Sequence, residues 1–230
     1  MAAALSTTNQ RSTILAASIR LLRSDGPNGL TIRKVATSAG CSTQGVYTWF
    51  GGKNELVDAI FIDGFVSFRD ALASASGAPG LESLIALGVE YRQWAHAHTT
   101  EYQVMFTRAV PEHTPSQRAQ AAALDAFSVL VEAAEANRSP ARLGDVDTEL
   151  FACHFWATAH GHVMLDICGL GAEVHGVDQA GRSPEHQYVD SIRAAIRGFQ
   201  VQPPSPSGRY GPMLERRDNA RPCLYPSTPQ

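Results

Sequence analysis

The chain has no apolar run approaching the roughly 18 residues that a membrane-crossing helix needs. Its first ten residues, MAAALSTTNQ, lack the basic start and long apolar core of a secretory signal. Cysteine is sparse: Cys41, Cys153, Cys168 and Cys223 form no CxxC pair. If Cys153 and Cys168 share one helix, their spacing puts them about 22 Å apart along its axis, too far to bond within one chain. Alternating strand patterns of convincing length are missing, as are an HExxH pair and a Gly-framed serine nucleophile. These absences predict a cytoplasmic protein with reduced thiols and no membrane partner.

What is present begins with an uneven charge. Residues 1–60 hold Arg11, Arg20, Arg23, Arg33, Lys34 and Lys53 against Asp25, Glu55 and Asp58, a net of +3. The whole chain carries −3, which leaves −6 for residues 61–230. A basic first quarter on an acidic remainder suggests a nucleic-acid-facing head on a body with another task. The hydrophobic share of 44% is ample for a core.

Apolar spacing is helical throughout, which predicts an all-α fold. Residues 10–24 place Ile14, Leu15, Ile19, Leu21 and Leu22 on one broad face and end at Asp25-Gly26-Pro27-Asn28-Gly29, a stop and turn. Thr31 reads as the N-cap of a short helix over Ile32–Ala39 that Gly40 closes, and Ser42 as the N-cap of a second over Thr43–Trp49. A long helix follows from Lys53, with Leu56, Ile60, Phe61, Phe65, Phe68 and Leu72 at helical spacing. Beyond Gly77-Ala78-Pro79-Gly80, helices are expected near 81–98, 101–109, 115–137, 145–169 and 184–200. Residues 201–230 hold seven of the 13 prolines and almost no apolar periodicity, and are expected to form a flexible tail.

Two short helices joined through Ala39-Gly40-Cys41-Ser42 make a helix-turn-helix over 31–50. Ala36 is small where the helices cross, and Gly40 supplies the positive φ of the turn. With Ile32, Val35, Val46 and Phe50 as apolar anchors, the second helix keeps Thr43, Gln44, Tyr47 and Thr48 for its open face. Such a face suits base edges and phosphates. Lys53 at the start of the next helix is unfavourable for that helix's dipole, and gains a reason if a phosphate binds beside it.

The stretch TIRKVATSAGCSTQGVYTWFGGKNEL, from Thr31 to Leu56, resembles the DNA-binding head of the TetR family of bacterial transcriptional repressors. The resemblance spans residues 10–60. It implies that Thr31, Tyr47, Trp49 and Lys53 hold the backbone of double-stranded operator DNA, while Thr43, Gln44 and Thr48 reach bases, with Ser42 also among the DNA-binding residues. The chain departs from the commonest pattern at Gln44 and Gly45, positions that bear on operator sequence.

By the same resemblance, residues 8–68 are the DNA-binding domain, and residues 80–200 bind a small-molecule effector and form a homodimer. Trp156-Ala-Thr-Ala-His160-Gly161 resembles the W-x3-H-G signature of one group of TetR C-terminal domains. Gly161 in mid-helix suggests close approach by another helix, and the stripe Tyr188, Ile192, Ile196 and Phe199 would complete a two-fold four-helix interface. Tyr91, Trp94, Tyr102, Met105, Phe106, Phe127, Phe155, Trp156, His160 and Met164 are candidates to line an effector pocket, although most aromatic and Met stripes are core. The rival reading is an enzyme built on His154, Thr158, His162 and Asp166, which recur every four residues. His162 and Asp166 could share a metal, but His154 lies about 12 Å along the axis from His162. A third reading is a helical scaffold without DNA binding. The favoured expectation is a ligand-released repressor that needs no cofactor and catalyses nothing.

Overall fold

A computed structural model describes residues 2–75 (side chains from residue 10), 77–111, 113–139, 141–170, 181 and 183–200. The expected tail at 201–230 lies outside the described residues. Among those described, all regular structure is helical: α1 (Ala2–Gly29), α2 (Ile32–Ala39), α3 (Thr43–Phe50), α4 (Lys53–Ala75), α5 (Leu81–Ala97), α6 (Thr99–Phe106), α7 (Gln117–Ala136), α8 (Thr148–Ile167) and α9 (Pro184–Gln200). None is long and apolar enough to cross a membrane.

The helix ends follow the caps and breakers. Thr31 accepts a hydrogen bond from the Lys34 N–H at the start of α2, Ser42 from Gly45 at the start of α3 and Asp147 from Leu150 at the start of α8. α1 begins upstream of the expected residue 10, because Ala2, Ala3, Ala4 and Leu5 are strong helix formers with no breaker behind them. Near its other end the backbone leaves helical geometry at Gly26 (φ 67°, ψ −173°). Pro27 explains the break, since its ring disfavours the α region for the residue before it.

The chain divides into two compact units. The first comprises residues 1–70 and 94–126, the second residues 71–93 and 127–230. This grouping differs from the expected division near residue 80, because α6 packs against the head. Its Thr100 hydroxyl lies 3.4 Å from Arg23 Nε of α1. A Cβ added to Gly64 of α4 would meet the Met105 sulfur at 2.7 Å, so a glycine is what lets α6 approach.

In the first unit, Ile14, Leu15 and Leu22 of α1 are buried, with Val35, Ala36, Val46, Phe50, Leu56 and Ile60 from the following helices. Phe61, Phe65, Phe68, Trp94, Tyr102 and Phe106 continue this core as a chain of ring contacts. In the second unit, α5 is the hub. Its Gly88 would place a Cβ 3.2 to 3.3 Å from Ile192 and Phe155, and its carbonyl accepts the Tyr188 hydroxyl at 2.5 Å. Arg92, one turn on, donates from Nε and Nη2 to Asp166 of α8 (3.0 and 2.9 Å) and stacks over the Tyr188 ring.

Candidate nucleic-acid interface

The two helices of the motif meet at a turn whose geometry only a few residues tolerate. Gly40 adopts the left-handed conformation (φ 65°), and its N–H closes α2 on the Ala36 and Thr37 carbonyls. Gly51 (φ 89°) ends α3 with its N–H on the Tyr47 carbonyl at 2.8 Å. Between them α3 buries Val46 and Phe50, and Arg11 of α1 lies over the Phe50 ring at 5.3 Å.

The opposite side of α3 is open. Ser42, Thr43, Gln44 and Thr48 are exposed, Tyr47 is 49% exposed, and Trp49 is half-buried at the edge of the core. Thr48 donates its hydroxyl to the Gln44 carbonyl at 2.8 Å. Thr31 is exposed at the start of α2, and Lys53 is half-buried at the first residue of α4. The structure thus brings seven of the eight expected residues to α3 or its two ends, with Thr31 at the head of the neighbouring α2. Arg33, also exposed on α2, adds a cation that pattern reasoning did not single out. Lys34 is held instead by Asp25 (2.8 Å), whose carboxyl it keeps below the usual carboxylate range, with help from Ser24.

A second polar constellation, which sequence reasoning missed, sits one helical turn beyond Lys53. Asp58 of α4 accepts the Ser116 N–H (2.9 Å) on Oδ1 and the Ser116 hydroxyl (2.7 Å) on Oδ2. Ser116 in turn caps α7 through the Ala119 N–H (3.1 Å), and His113 Nε2 lies 3.2 Å from Asp58 Oδ1. Serine and histidine both turn to the same carboxylate, so no relay toward a nucleophile exists; the arrangement is a clamp.

The expected effector residues are divided between the two units. Trp94, Tyr102, Met105 and Phe106 belong to the first unit, where Trp94 donates to Ser67 (3.1 Å), Trp94 and Phe106 pack with α4 phenylalanines, Met105 lies against Gly64 and Tyr102 against Phe106. Tyr91, Phe127, Phe155, Trp156, His160 and Met164 belong to the second. There the Trp156 indole donates to the Tyr91 hydroxyl (3.1 Å) and lies against the rings of Phe127 and His160. Burial holds the His160 imidazole below the usual histidine range.

Two expectations are corrected. Tyr188, Ile192 and Ile196 were expected to face a partner subunit, yet each is 1% exposed in the single chain, packed within its own unit. Phe199 is half-buried against Phe151 and His154. The apolar stripe of α9 is therefore covered by its own chain. The His162/Asp166 metal reading also falls: Asp166 takes both hydrogen bonds of Arg92, and the His162 ring meets Tyr188 edge-on. Among the described residues no three His, Cys, Asp or Glu side chains are grouped to hold a metal.

Two capped short helices joined by a tight turn, the second presenting an exposed, hydroxyl- and amide-rich face, form a helix-turn-helix motif. Residues 14–60 match the family model of bacterial regulatory proteins of the tetR family, and residues 84–187 that of the tetracyclin repressor-like C-terminal domain. The chain is a TetR-family transcriptional regulator and not an enzyme. It is 26% identical over 168 residues to the uncharacterized HTH-type transcriptional regulator Rv0681 of Mycobacterium tuberculosis, covering 70% of this chain and 71% of that one. Its fold is shared by a Rhodococcus protein of unknown function (TM-score 0.68, 23% identity, 82% of this chain and 94% of that one). It is shared as well by the TetR-family regulator PfmR of Thermus thermophilus (TM-score 0.61, 14% identity, 80% and 97%).

Proposed function

We propose that the protein is a homodimeric repressor that acts in the cytoplasm and leaves its operator when a small-molecule effector binds. The observation that carries this reading is α3, which buries Val46 and Phe50 while Thr43, Gln44, Tyr47 and Thr48 stand exposed. In that reading α3 enters the major groove, where Thr43, Gln44 and Thr48 meet base edges. Thr31, Ser42, Tyr47, Trp49 and Lys53 hold phosphates on either side. Residues 8–68 form the DNA-binding domain and residues 80–200 the effector and dimerisation domain.

Dimerisation is supported by what α8 and α9 leave uncovered. Leu150, His154, Ala157, Gly161 and Cys168 are exposed along α8 at helical spacing, and Ala194 and Gly198 along α9. A Cβ on Gly161 or Gly198 would meet nothing within 4 Å in the chain itself. Small residues on an uncovered face permit the close helix approach of a two-fold bundle. Membership of the W-x3-H-G group fits the same division, with Trp156 bonded inward to Tyr91 and Gly161 facing out.

The test is selection of bound fragments from genomic DNA, followed by titration of the operator by fluorescence anisotropy. Lys53→Ala should weaken every sequence alike and flatten the log–log salt slope by about 2 per dimer. Gln44→Ala should cost roughly 1–3 kcal/mol per lost base contact and relax preference at one position per half-site. Unchanged binding of all probes by both variants would refute the assignment of α3.

A further inference from the structure

The carboxylate of Asp58 gathers its contacts from one short segment, residues 113–116. Ser116 donates its N–H to Oδ1 (2.9 Å) and its hydroxyl to Oδ2 (2.7 Å), and His113 Nε2 lies 3.2 Å from Oδ1. The Ser116 oxygen also accepts the Ala119 N–H at 3.1 Å, so the first turn of α7, and not a side chain alone, is attached to α4. The His113 ring rests against that of Phe61, about one turn further along α4 (centroids 5.9 Å).

A second tie lies downstream, where Arg69 Nη1 of α4 donates to Asp125 Oδ2 of α7 at 2.6 Å. Contacts that advance together along both helices mean that α4 and α7 run side by side in the same direction, over about 16 Å of α4 and about 13 Å of α7. The two ties are unequal. The Arg69 bond is exposed, and exposed ion pairs hold little. The side chains of Asp58 and His113 are nearly buried, so the register between the helices is set mainly at Asp58. Apolar packing alone does not set it, because apolar contact is non-directional.

The place of this tie bears on DNA binding. α3 leads into α4 through Gly51 and Gly52, and Leu56 and Val57, just before Asp58, are buried in the first unit as Val46 and Phe50 are. The start of α4 is thus part of the head. α7 runs on beyond Ala126 into the second unit, which holds α8 and α9.

We infer that Asp58 is a positioning residue for operator binding: by pinning α7 to α4 it fixes the angle at which α3 is presented, and so the half-site spacing that a dimer accepts. The inference rests on the homodimeric reading above. A dimer binds half-sites whose separation follows the helical repeat of DNA, and one base pair more or less at the centre turns one half-site by about 34° and moves it about 3.4 Å. A head held at one angle rejects such a site, and a head free to swing tolerates it.

The probes are the operator duplex recovered by selection, the same duplex with one central base pair added or removed, and a single half-site. Fluorescence anisotropy of the full chain gives each affinity, with folding checked by circular dichroism. The wild type should prefer the native spacing by at least about tenfold. Asp58→Asn keeps the shape of the side chain but turns an NH2 group toward donors; it should cut that preference to about threefold or less, with half-site affinity within about twofold of wild type. Ser116→Thr keeps the hydroxyl and the cap and should retain the wild-type preference, whereas Ser116→Ala should lose part of it. Lost stability alone would weaken every duplex alike and leave the spacing preference unmoved. Full spacing preference in folded Asp58→Asn, or in Ser116→Ala where Asp58→Asn does not fold, overturns the inference, as does an equal loss on the half-site. A wild type that binds the half-site as tightly as the operator removes the homodimeric reading, and this inference with it.

Discussion

Asp58→Ala removes the centre of the clamp between α4 and the start of α7. The carboxylate accepts two hydrogen bonds from Ser116, at 2.9 and 2.7 Å, and lies 3.2 Å from His113 Nε2. Its side chain is 13% exposed and that of His113 is 6% exposed, so water replaces these partners poorly. Hydrogen bonds to a charged group contribute about 1.5–3 kcal/mol each, and bonds sharing one acceptor do not add in full. The expected loss is therefore about 2–4 kcal/mol, part of it from weakening the cap of α7. At roughly 2–4 °C per kcal/mol for a chain of this size, Tm should fall by about 4–16 °C. Urea unfolding followed by circular dichroism at fixed protein concentration measures it, with an unchanged slope showing that the native state stays compact. Asp63→Ala, at an exposed position on the same helix, is the control. A loss below about 0.5 kcal/mol, the level of an ordinary surface change, would refute the clamp.

Gly45→Ala should stabilise the chain by about 0.5–1 kcal/mol in urea unfolding, because the added Cβ would lie 3.5 Å from Ser42 Oγ in ordinary contact and α3 gains helix propensity. Burial pushes the His160 imidazole below the usual histidine range, so on acidification the unfolded chain takes up its proton first. Stability should accordingly fall as pH drops below the unfolded value of about 6.5. His160→Gln should flatten the urea midpoint between pH 7 and 5, and a profile parallel to the wild type would count against this origin. A Cβ at Gly161 meets nothing within 4 Å in the single chain, so Gly161→Leu should not disturb the chain's own packing there. Sedimentation should shift toward monomer with the helical content unchanged, at a cost of about 1–3 kcal/mol in association.

Most helix boundaries were legible because the signals that set them are local. Thr31 and Ser42 each bond an N–H three residues on, and Gly40 needs only its own φ. The open face of α3 follows from the same spacing. What was not legible depends on residues far apart in sequence. Nothing near Asp58 announces Ser116, 58 residues away, and nothing near Asp166 announces Arg92. Periodicity likewise shows that Tyr188, Ile192 and Ile196 share a face, but not whether the same chain or a second copy covers it. The aromatic residues were legible as buried, yet burial alone does not separate a packed core from a cavity wall.

Three of the hydroxyls around α3 are not interchangeable, because Thr31, Ser42 and Thr48 have each committed one half of their hydrogen-bonding capacity. Thr31 and Ser42 spend an oxygen lone pair on an N–H of their own helix, and each keeps its proton. Thr48 spends its proton on the Gln44 carbonyl and keeps its lone pairs. On the DNA reading, the two capping residues are therefore donors suited to phosphate oxygens. Thr48 is an acceptor, suited in the major groove to the amino groups of adenine or cytosine and not to the carbonyl of guanine or thymine. The bonds that hold the helices together thus also assign the polarity with which each position can address the duplex.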